Sequence, residues 1–183
     1  MTEASTPSVL VVVGTDVHRF DRLMGWLEQW HTTRRDGLAM LIQHGSSRRP
    51  EIPGATAFLA HEALAEAMTR VRAVVSHGGP ATITEARRNG HTPIVVARDP
   101  AHGEHVDDHQ MLFAGRLAGY GLIRLCASAT ELHTALDEAM SGVPGAPARI
   151  PAQTDRSAAV RRVGRIVDDL LAVRHQGRRG GGR

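Results

Sequence analysis

From Ser8 to Ser141, short apolar runs alternate with segments of helical period. Ser8 to Val13 is Val-rich, as expected of a strand buried on both faces. Gly14 and Thr15 end it, and Phe20, Leu23, Met24, Leu27 and Trp30 then recur at helical spacing. Leu38 to Gln43 is the second expected strand, and Ala55 to Leu59 a weaker third. Leu64, Ala67, Met68 and Val71 mark the helix that follows. Ala73 to Ser76 is the fourth strand, closed by Gly78 and Gly79. A helix then runs from Pro80 to Arg88, proline being favourable at a first helical position because its missing N–H would be unpaired there anyway. Ile94 to Ala97 and Leu122 to Leu125 are the last two strands. Met111, Ala114, Leu117 and Ala118 form the helix between them. Ser128 with Glu131 looks like a capping box, before the apolar face of Leu132, Ala135, Leu136, Ala139 and Met140.

Strands alternating with helices imply an α/β fold, a parallel sheet with helices on both faces. Six units predict a Rossmann-like, doubly wound sheet of order 3-2-1-4-5-6 over residues 8–141. Strands one and four are then neighbours, and ligands bind such folds in the crevice beyond their carboxyl ends. Those ends carry Gly14–Thr15 and Ser76–His77–Gly78–Gly79. Residues 142–173 read as a Pro/Gly-rich connector and an amphipathic helix, about Thr154 to Val173, with Val160, Val163, Val167, Leu170 and Leu171 on one stripe. Residues 174–183 read as a disordered basic tail.

Composition removes several chemistries. Cys126 is the single cysteine, so no internal disulfide and no CxxC site can form. All 22 basic residues are arginine, which removes a Walker-type lysine and any Schiff base. The net charge of +3 resides in the tail arginines, Arg174, Arg178, Arg179 and Arg183. Without them 18 arginines face 19 acids, and only six aromatics are present, so nucleic acid is not an expected partner. The longest strongly apolar run, Val9 to Val13, is far too short to span a bilayer. The opening MTEAST lacks a basic stretch followed by an apolar core, so no signal peptide is expected and the cytoplasm is the default compartment.

The segment SHGGPATITEA, Ser76 to Ala86, carries the chemistry. Gly78 and Gly79 let backbone approach a ligand, and the following helix offers N–H groups at Ala81 and Thr82 together with its positive dipole end. That suits a diphosphate. Thr82 adds a hydroxyl, and His77 a donor that is charge-assisted if protonated. Glu85, one turn on, can accept from two neighbouring hydroxyls such as those of a ribose. The plainer alternative is a Gly-Gly turn with a solvated Glu85. It is not a dinucleotide fingerprint: GTDVHRF after the first strand has no GxGxxG, and the second strand ends in Gln43–His44 rather than an acid.

VVVGTDVHRFDRL, LIQHG, VVSHGGPATITEARRNGHTPIVVARDP and HVDDHQMLFAGRLAGYGLI together resemble the C-terminal, donor-binding domain of glycosyltransferase family 28, half of the two-domain GT-B architecture. The chain is similar in layout to the soluble subunit of two-subunit UDP-GlcNAc transferases and to bacterial exopolysaccharide transferase subunits. The resemblance covers about Val9 to Ile123. It implies that Gly14 and Thr15 line the phosphate crevice opposite His77. Gly78, Gly79, Ala81 and Thr82 would hold the diphosphate, and Glu85 the ribose of a UDP-sugar. Asp108, His109 and Gln110 would fall against the donor sugar, Gln110 being the best-matched position. Pro80 stands where other members often have an N–H. No role is implied for Gln43 or His44, expected on the uracil side.

The leading functional expectation is an inverting, UDP-sugar-dependent hexosyltransferase subunit, for a GlcNAc- or glucuronate-like sugar and a lipid-linked acceptor. His77 and Thr82 would stabilise the leaving UDP, with no resident metal or cofactor. The resemblance implies an acceptor-domain partner subunit, membrane-anchored, which would recruit this chain to the inner face of the membrane; homo-oligomerisation stays open. A second possibility is a non-catalytic nucleotide-sugar-binding module. A third is a small metal-dependent hydrolase using His105, Asp108 and His109, where His105 and His109 are spaced i, i+4. His18, His61, His91 and His133 read as surface or cap residues, and Cys126 as a buried small hydrophobe.

Overall fold

The computed structural model describes residues 7–34 and 37–141, all within one compact unit, Met1–Ile150. The expected connector and amphipathic helix, 142–173, and the basic tail, 174–183, lie outside the described residues.

Six parallel strands form one sheet, β1 (Val9–Val12), β2 (Met40–Gln43), β3 (Ala55–Thr56), β4 (Ala73–Ser76), β5 (Ile94–Val95) and β6 (Arg124–Leu125). Their order is β3-β2-β1-β4-β5-β6, the doubly wound order expected from the alternation. Five helices accompany them, α1 (Asp21–Thr33), α2 (His61–Arg70), α3 (Pro80–Arg88), α4 (His109–Gly119) and α5 (Ala129–Ser141), with a 3-10 turn at Pro100–His102.

β1 is wholly buried, and its residues divide by the pleat. Val9 and Val11 join Phe20, Leu23, Met24, Leu27 and Trp30 of the α1 region and Leu132, Ala135 and Leu136 of α5. Leu10 and Val12 join Ala67 and Met68 of α2 and Ala86 of α3 on the opposite face. Each layer therefore needs a continuous apolar run in the central strand rather than an alternating one. α5 is tied to α1 by polar bonds at its edge: Trp30 Nε1 donates to Asp137 Oδ1 (2.9 Å), and His133 Nε2 meets the Trp26 carbonyl (2.8 Å).

Several strands are shorter than their apolar runs. Ala97 lies beyond β5, and Leu122 donates its N–H to the Leu117 carbonyl at the end of α4 rather than to a strand. The Ser128–Glu131 pair caps α5 incompletely: Ser128 Oγ accepts from Glu131 N (3.2 Å), while Glu131 Oε2 takes the N–H of Ala127 (2.6 Å) rather than that of Ser128. His91 is not a surface residue. It is 1% exposed with Nε2 2.6 Å from the Met68 carbonyl, joining α3's exit to α2.

Candidate functional site

The crevice beyond β1 and β4 is built from two segments. Val12 pairs with Ser76 in register, so the chain leaves both strands at the same level. Gly14 (φ 79) begins the β1–α1 loop, and Gly78 (φ 98) turns the chain from β4 into α3. Gly79 is the N-cap of α3 and supplies no side-chain cap; Pro80 follows at N1. The N–H of Ile83 reaches the Gly79 carbonyl (3.1 Å), leaving the N–H groups of Ala81 and Thr82 without partners inside the helix. The Gly78 N–H is engaged by Ser76 Oγ (3.3 Å).

The His77 ring fills the space between the two segments. A Cβ on Gly14 would stand 2.9 Å from its Cε1, and one on Gly79 2.5 Å from its Nε2. Both glycines are thus required by the imidazole itself, not only by close approach of a ligand. Nδ1 lies 3.2 Å from the Val12 carbonyl, which can only accept, so Nδ1 carries a proton. Burial pushes the ring's pKa down to about 4, with the Arg98 guanidinium adding to the effect against the Val12 bond and Asp16. At neutral pH Nε2 is therefore an acceptor. The charge-assisted donor expected of a protonated His77 therefore requires that Nε2 first gain a proton.

Gly14 is also held from behind. Gln43, at the end of β2 and 5% exposed, accepts from Gly14 N (3.2 Å) and donates from Nε2 to Gly14 O (2.8 Å). The Gly14 amide is consequently not free for a phosphate, whereas Thr15 beyond it is exposed. Arg98 is 1% exposed at the end of the β5 run. Its NH1 donates to the carbonyls of His18 (2.7 Å) and Glu104 (3.1 Å), and NH2 to that of Val13 (3.1 Å). Burial lowers its pKa, opposed by the charges of Asp16 and Glu104. Arg22 on α1 grips the Glu104 carboxylate through Nε (2.9 Å) and NH2 (2.7 Å), closing a brace between the loops after β1 and β5. An open groove of about 460 Å³ beside this brace is lined by Arg19, Asp21, Arg22, His102, Gly103 and Glu104. Its arginines already face Asp21 and Glu104, so it offers an anion no unanswered charge.

The remaining expected residues divide. Gln110 comes to the crevice: a Cβ on Gly78 would lie 3.9 Å from Gln110 Cβ, and Gln110 Oε1 is buried without a hydrogen-bond partner. Glu85, half-buried, faces its own helix, with Arg88 NH1 at 3.6 Å and Asn89 Nδ2 at 3.3 Å. Asp108 and His109 are exposed at the start of α4, and Asp108 makes no side-chain cap bond.

The hydrolase arrangement fails on geometry. His109 begins α4 while His105 lies in the preceding loop, so their spacing puts them on no common helical face. Asp107, not Asp108, is their shared neighbour, 3.2 Å from His105 Nδ1 and 2.8 Å from His109 Nδ1. Among the described residues no three His, Cys, Asp or Glu side chains are grouped to hold a metal ion. Asp16 meets His18 Nδ1 (2.6 Å) and His105 Nε2 (3.8 Å). Burial opposes its ionisation, but the His18 N–H and ring hold its carboxyl below the usual range.

Sequence reasoning missed Arg98, Arg22–Glu104 and Asp16–His18. A charged residue directly after the apolar run Ile94–Ala97 was the available signal for Arg98; the ion pair joins residues 82 apart and had none.

The family model "Glycosyltransferase family 28 C-terminal domain" matches residues 8–161. No curated protein matches the chain. Among solved structures it is similar to MurG of Acinetobacter baumannii, with 21% identity over 75% of this chain and 42% of that one, at a TM-score of 0.55. It is also similar to the glycotransferase of kitacinnamycin (18% identity, 90% of this chain, 41% of that one, TM-score 0.56). A third is the calicheamicin glycosyltransferase CalG4 (17%, 93% and 39%, TM-score 0.53). At these identities the likeness is one of fold, and the chain spans about two fifths of each structure's length.

Proposed function

The chain belongs to the glycosyltransferase family 28 C-terminal domain family, and on that premise we propose that it is the donor-binding catalytic part of a UDP-sugar-dependent glycosyltransferase. The observation that carries this reading is the helix entrance at Gly79–Thr82, which has no side-chain cap and opens beyond β1 and β4 beside the unpartnered Gln110 Oε1. Two free N–H groups, a hydroxyl and the helix dipole form an anion site, and a buried carbonyl oxygen without a donor is matched by a sugar hydroxyl.

In the reaction an acceptor hydroxyl attacks the anomeric carbon opposite the bond to the β-phosphate. That C–O bond breaks, and its electron pair leaves with UDP. The N–H groups of Ala81 and Thr82, the Thr82 hydroxyl and the α3 dipole stabilise the charge that develops on the departing diphosphate. Thr15 and Gly79 contribute the remaining backbone donors. Gly14 and Gly78, whose N–H groups are engaged, shape the crevice without donating. His77 joins as a donor once the bound diphosphate has favoured protonation of Nε2. Glu85 turns from Arg88 and Asn89 to the ribose hydroxyls, and Gln110, with Asp108 and His109 beside it, receives the sugar. The transferred group is a hexosyl unit, GlcNAc- or glucuronate-like. The acceptor, lipid-linked, and the base that takes its proton belong to a membrane-anchored partner subunit that holds this chain at the cytoplasmic face. The resemblance to two-subunit transferases supports this; among the described residues no helix is long and apolar enough to cross a membrane.

Calorimetry with UDP, UDP-GlcNAc, UDP-glucuronate, GDP and NAD tests the reading. UDP and UDP-sugars should bind, UDP supplying most of the affinity, and binding should survive EDTA. Tighter binding of GDP or NAD, or a strict metal requirement, would overturn it. Sugar transfer should need co-expression with the acceptor subunit, and deletion of residues 153–183 should abolish that complex while leaving UDP binding intact.

A further inference from the structure

We propose that Gln43 is a positioning residue for the diphosphate crevice: its carboxamide locks Gly14 so that the Gly14 carbonyl turns away from the anion and the His77 ring keeps its place. The inference rests on the reading of the crevice as a UDP-sugar site, and it gives the LIQHG segment a role that the donor-binding residues do not explain.

Both hydrogen bonds of the Gln43 side chain go to one residue. Oε1 accepts from Gly14 N (3.2 Å) and Nε2 donates to Gly14 O (2.8 Å). A carboxamide offers one donor edge and one acceptor edge, so it alone among side chains of this length satisfies both groups at once. The next turn of chain is shaped to the same carbonyl. Gly45 has φ +56, and a Cβ there would lie 2.7 Å from Gly14 O. β2 and the loop after it therefore form a socket for Gly14.

Gly14 sits where the chain leaves β1, beside the β4 exit. A carbonyl released at this point would bring its negative end toward bound phosphate oxygens. The Gly14 backbone also bounds one side of the His77 ring, 2.9 Å from Cε1 measured from a Cβ on Gly14. If Gly14 shifts, the ring loses that wall, and Nε2 moves relative to Gly79 on the other side. The clamp thus sets the crevice geometry without Gln43 touching the ligand.

The test separates positioning of the diphosphate from general support of the fold. Gln43→Met keeps length and apolar bulk but makes neither bond. Gln43→Glu keeps an acceptor for Gly14 N, loses the donor for Gly14 O, and adds a negative charge. Each variant is titrated with UDP and with uridine, which lacks the phosphates, after circular dichroism has shown it folded. Q43M should weaken UDP about tenfold and leave uridine within about twofold. Q43E should weaken UDP more than Q43M does. Equal loss of both ligands, or unchanged UDP affinity, would overturn the assignment, as would loss of the folded state in both variants. Failure of the wild-type chain to bind UDP is a separate result: it overturns the nucleotide reading, and this role with it.

Discussion

The two segments that face each other across the crevice are built on opposite principles. The loop after β1 is held from three directions, by Gln43 from β2, by Arg98 from the end of β5, and by His105 through Asp16. Its backbone polar groups are largely spent on these contacts. The turn after β4 has two glycines, a proline that donates nothing, and a helix entrance without a side-chain cap. Ser76 Oγ engages the Gly78 N–H, but the N–H groups of Ala81 and Thr82 at the helix entrance have no partner inside the helix. In the proposed reading one wall is mainly a scaffold and the other the main binding surface, although both carry glycines that look equally ligand-facing in the sequence. The His77 ring between them explains that likeness, since Gly14 and Gly79 each make room for it.

The strongest way to break this contrast is to remove the brace from the scaffold side. Arg98→Met leaves the carbonyls of Val13, His18 and Glu104 without their donor in a buried setting. The expected loss is about 3–4 kcal/mol of folding stability by denaturant titration. Thr82→Val on the other wall is the control: little change in stability, but weaker UDP binding. Equal stability losses in the two variants would dissolve the distinction between scaffold and surface.

Glu85 tests the binding side alone. Its carboxylate is half-buried and meets only Arg88 and Asn89 of its own helix, contacts worth little in partly solvated surroundings. Glu85→Ala should therefore barely alter stability, while UDP affinity falls by about 1–3 kcal/mol for a lost charged hydrogen-bonding group. Calorimetry decides it, and an unchanged UDP affinity would return Glu85 to a solvated surface role.

What the sequence disclosed follows the same division. The β4–α3 unit, Ala73–Ser76 and Pro80–Arg88, matches its expected bounds at both ends. Its signals are local: an apolar run, two glycines, and a proline at the first helical position. The strand order was legible because alternation and right-handed crossovers leave few topologies. The scaffold wall was not legible. Gln43 reads as an ordinary polar stop to a strand, and its meaning depends on Gly14, 29 residues away. The partners of Arg98 are two carbonyls of the loop after β1, at least 80 residues away, and one of its own loop, a convergence that only the fold creates. His77 was visible as a residue but not in its protonation state, which burial sets.

That protonation state yields a pH test. An unfolded histidine titrates near 6.5, and burial holds folded His77 at about 4. Between these values the unfolded chain binds more protons, so this contribution to stability is complete above about 6.5 and is lost as pH falls toward 4. From pH 7.5 to 5 the loss should be about 2 kcal/mol more in the wild type than in His77→Gln. UDP affinity should move the other way, since a diphosphate favours the protonated ring. It should gain more on acidification in the wild type than in His77→Gln, which also removes the contribution of UDP's own titration. Parallel behaviour of the two proteins in both measurements would mean that His77 does not bridge the two walls as described.

The smallest expected effect is at Gln110, and it asks where the binding surface ends. Gln110 lies on the first turn of α4, outside both walls, yet its Cβ approaches Gly78 and its Oε1 is buried with no donor. An unsatisfied buried acceptor costs free energy in the folded chain, and a ligand hydroxyl that reaches it recovers part of that cost. UDP ends at the β-phosphate and has no such hydroxyl, whereas a UDP-sugar does. Gln110→Ala should therefore weaken a UDP-sugar by about 1 kcal/mol while leaving UDP unchanged. The difference between the two ligands, measured on one protein, removes any general effect of the substitution on the fold. Equal weakening of both would place Gln110 with the scaffold instead, as a support for the Gly78 turn.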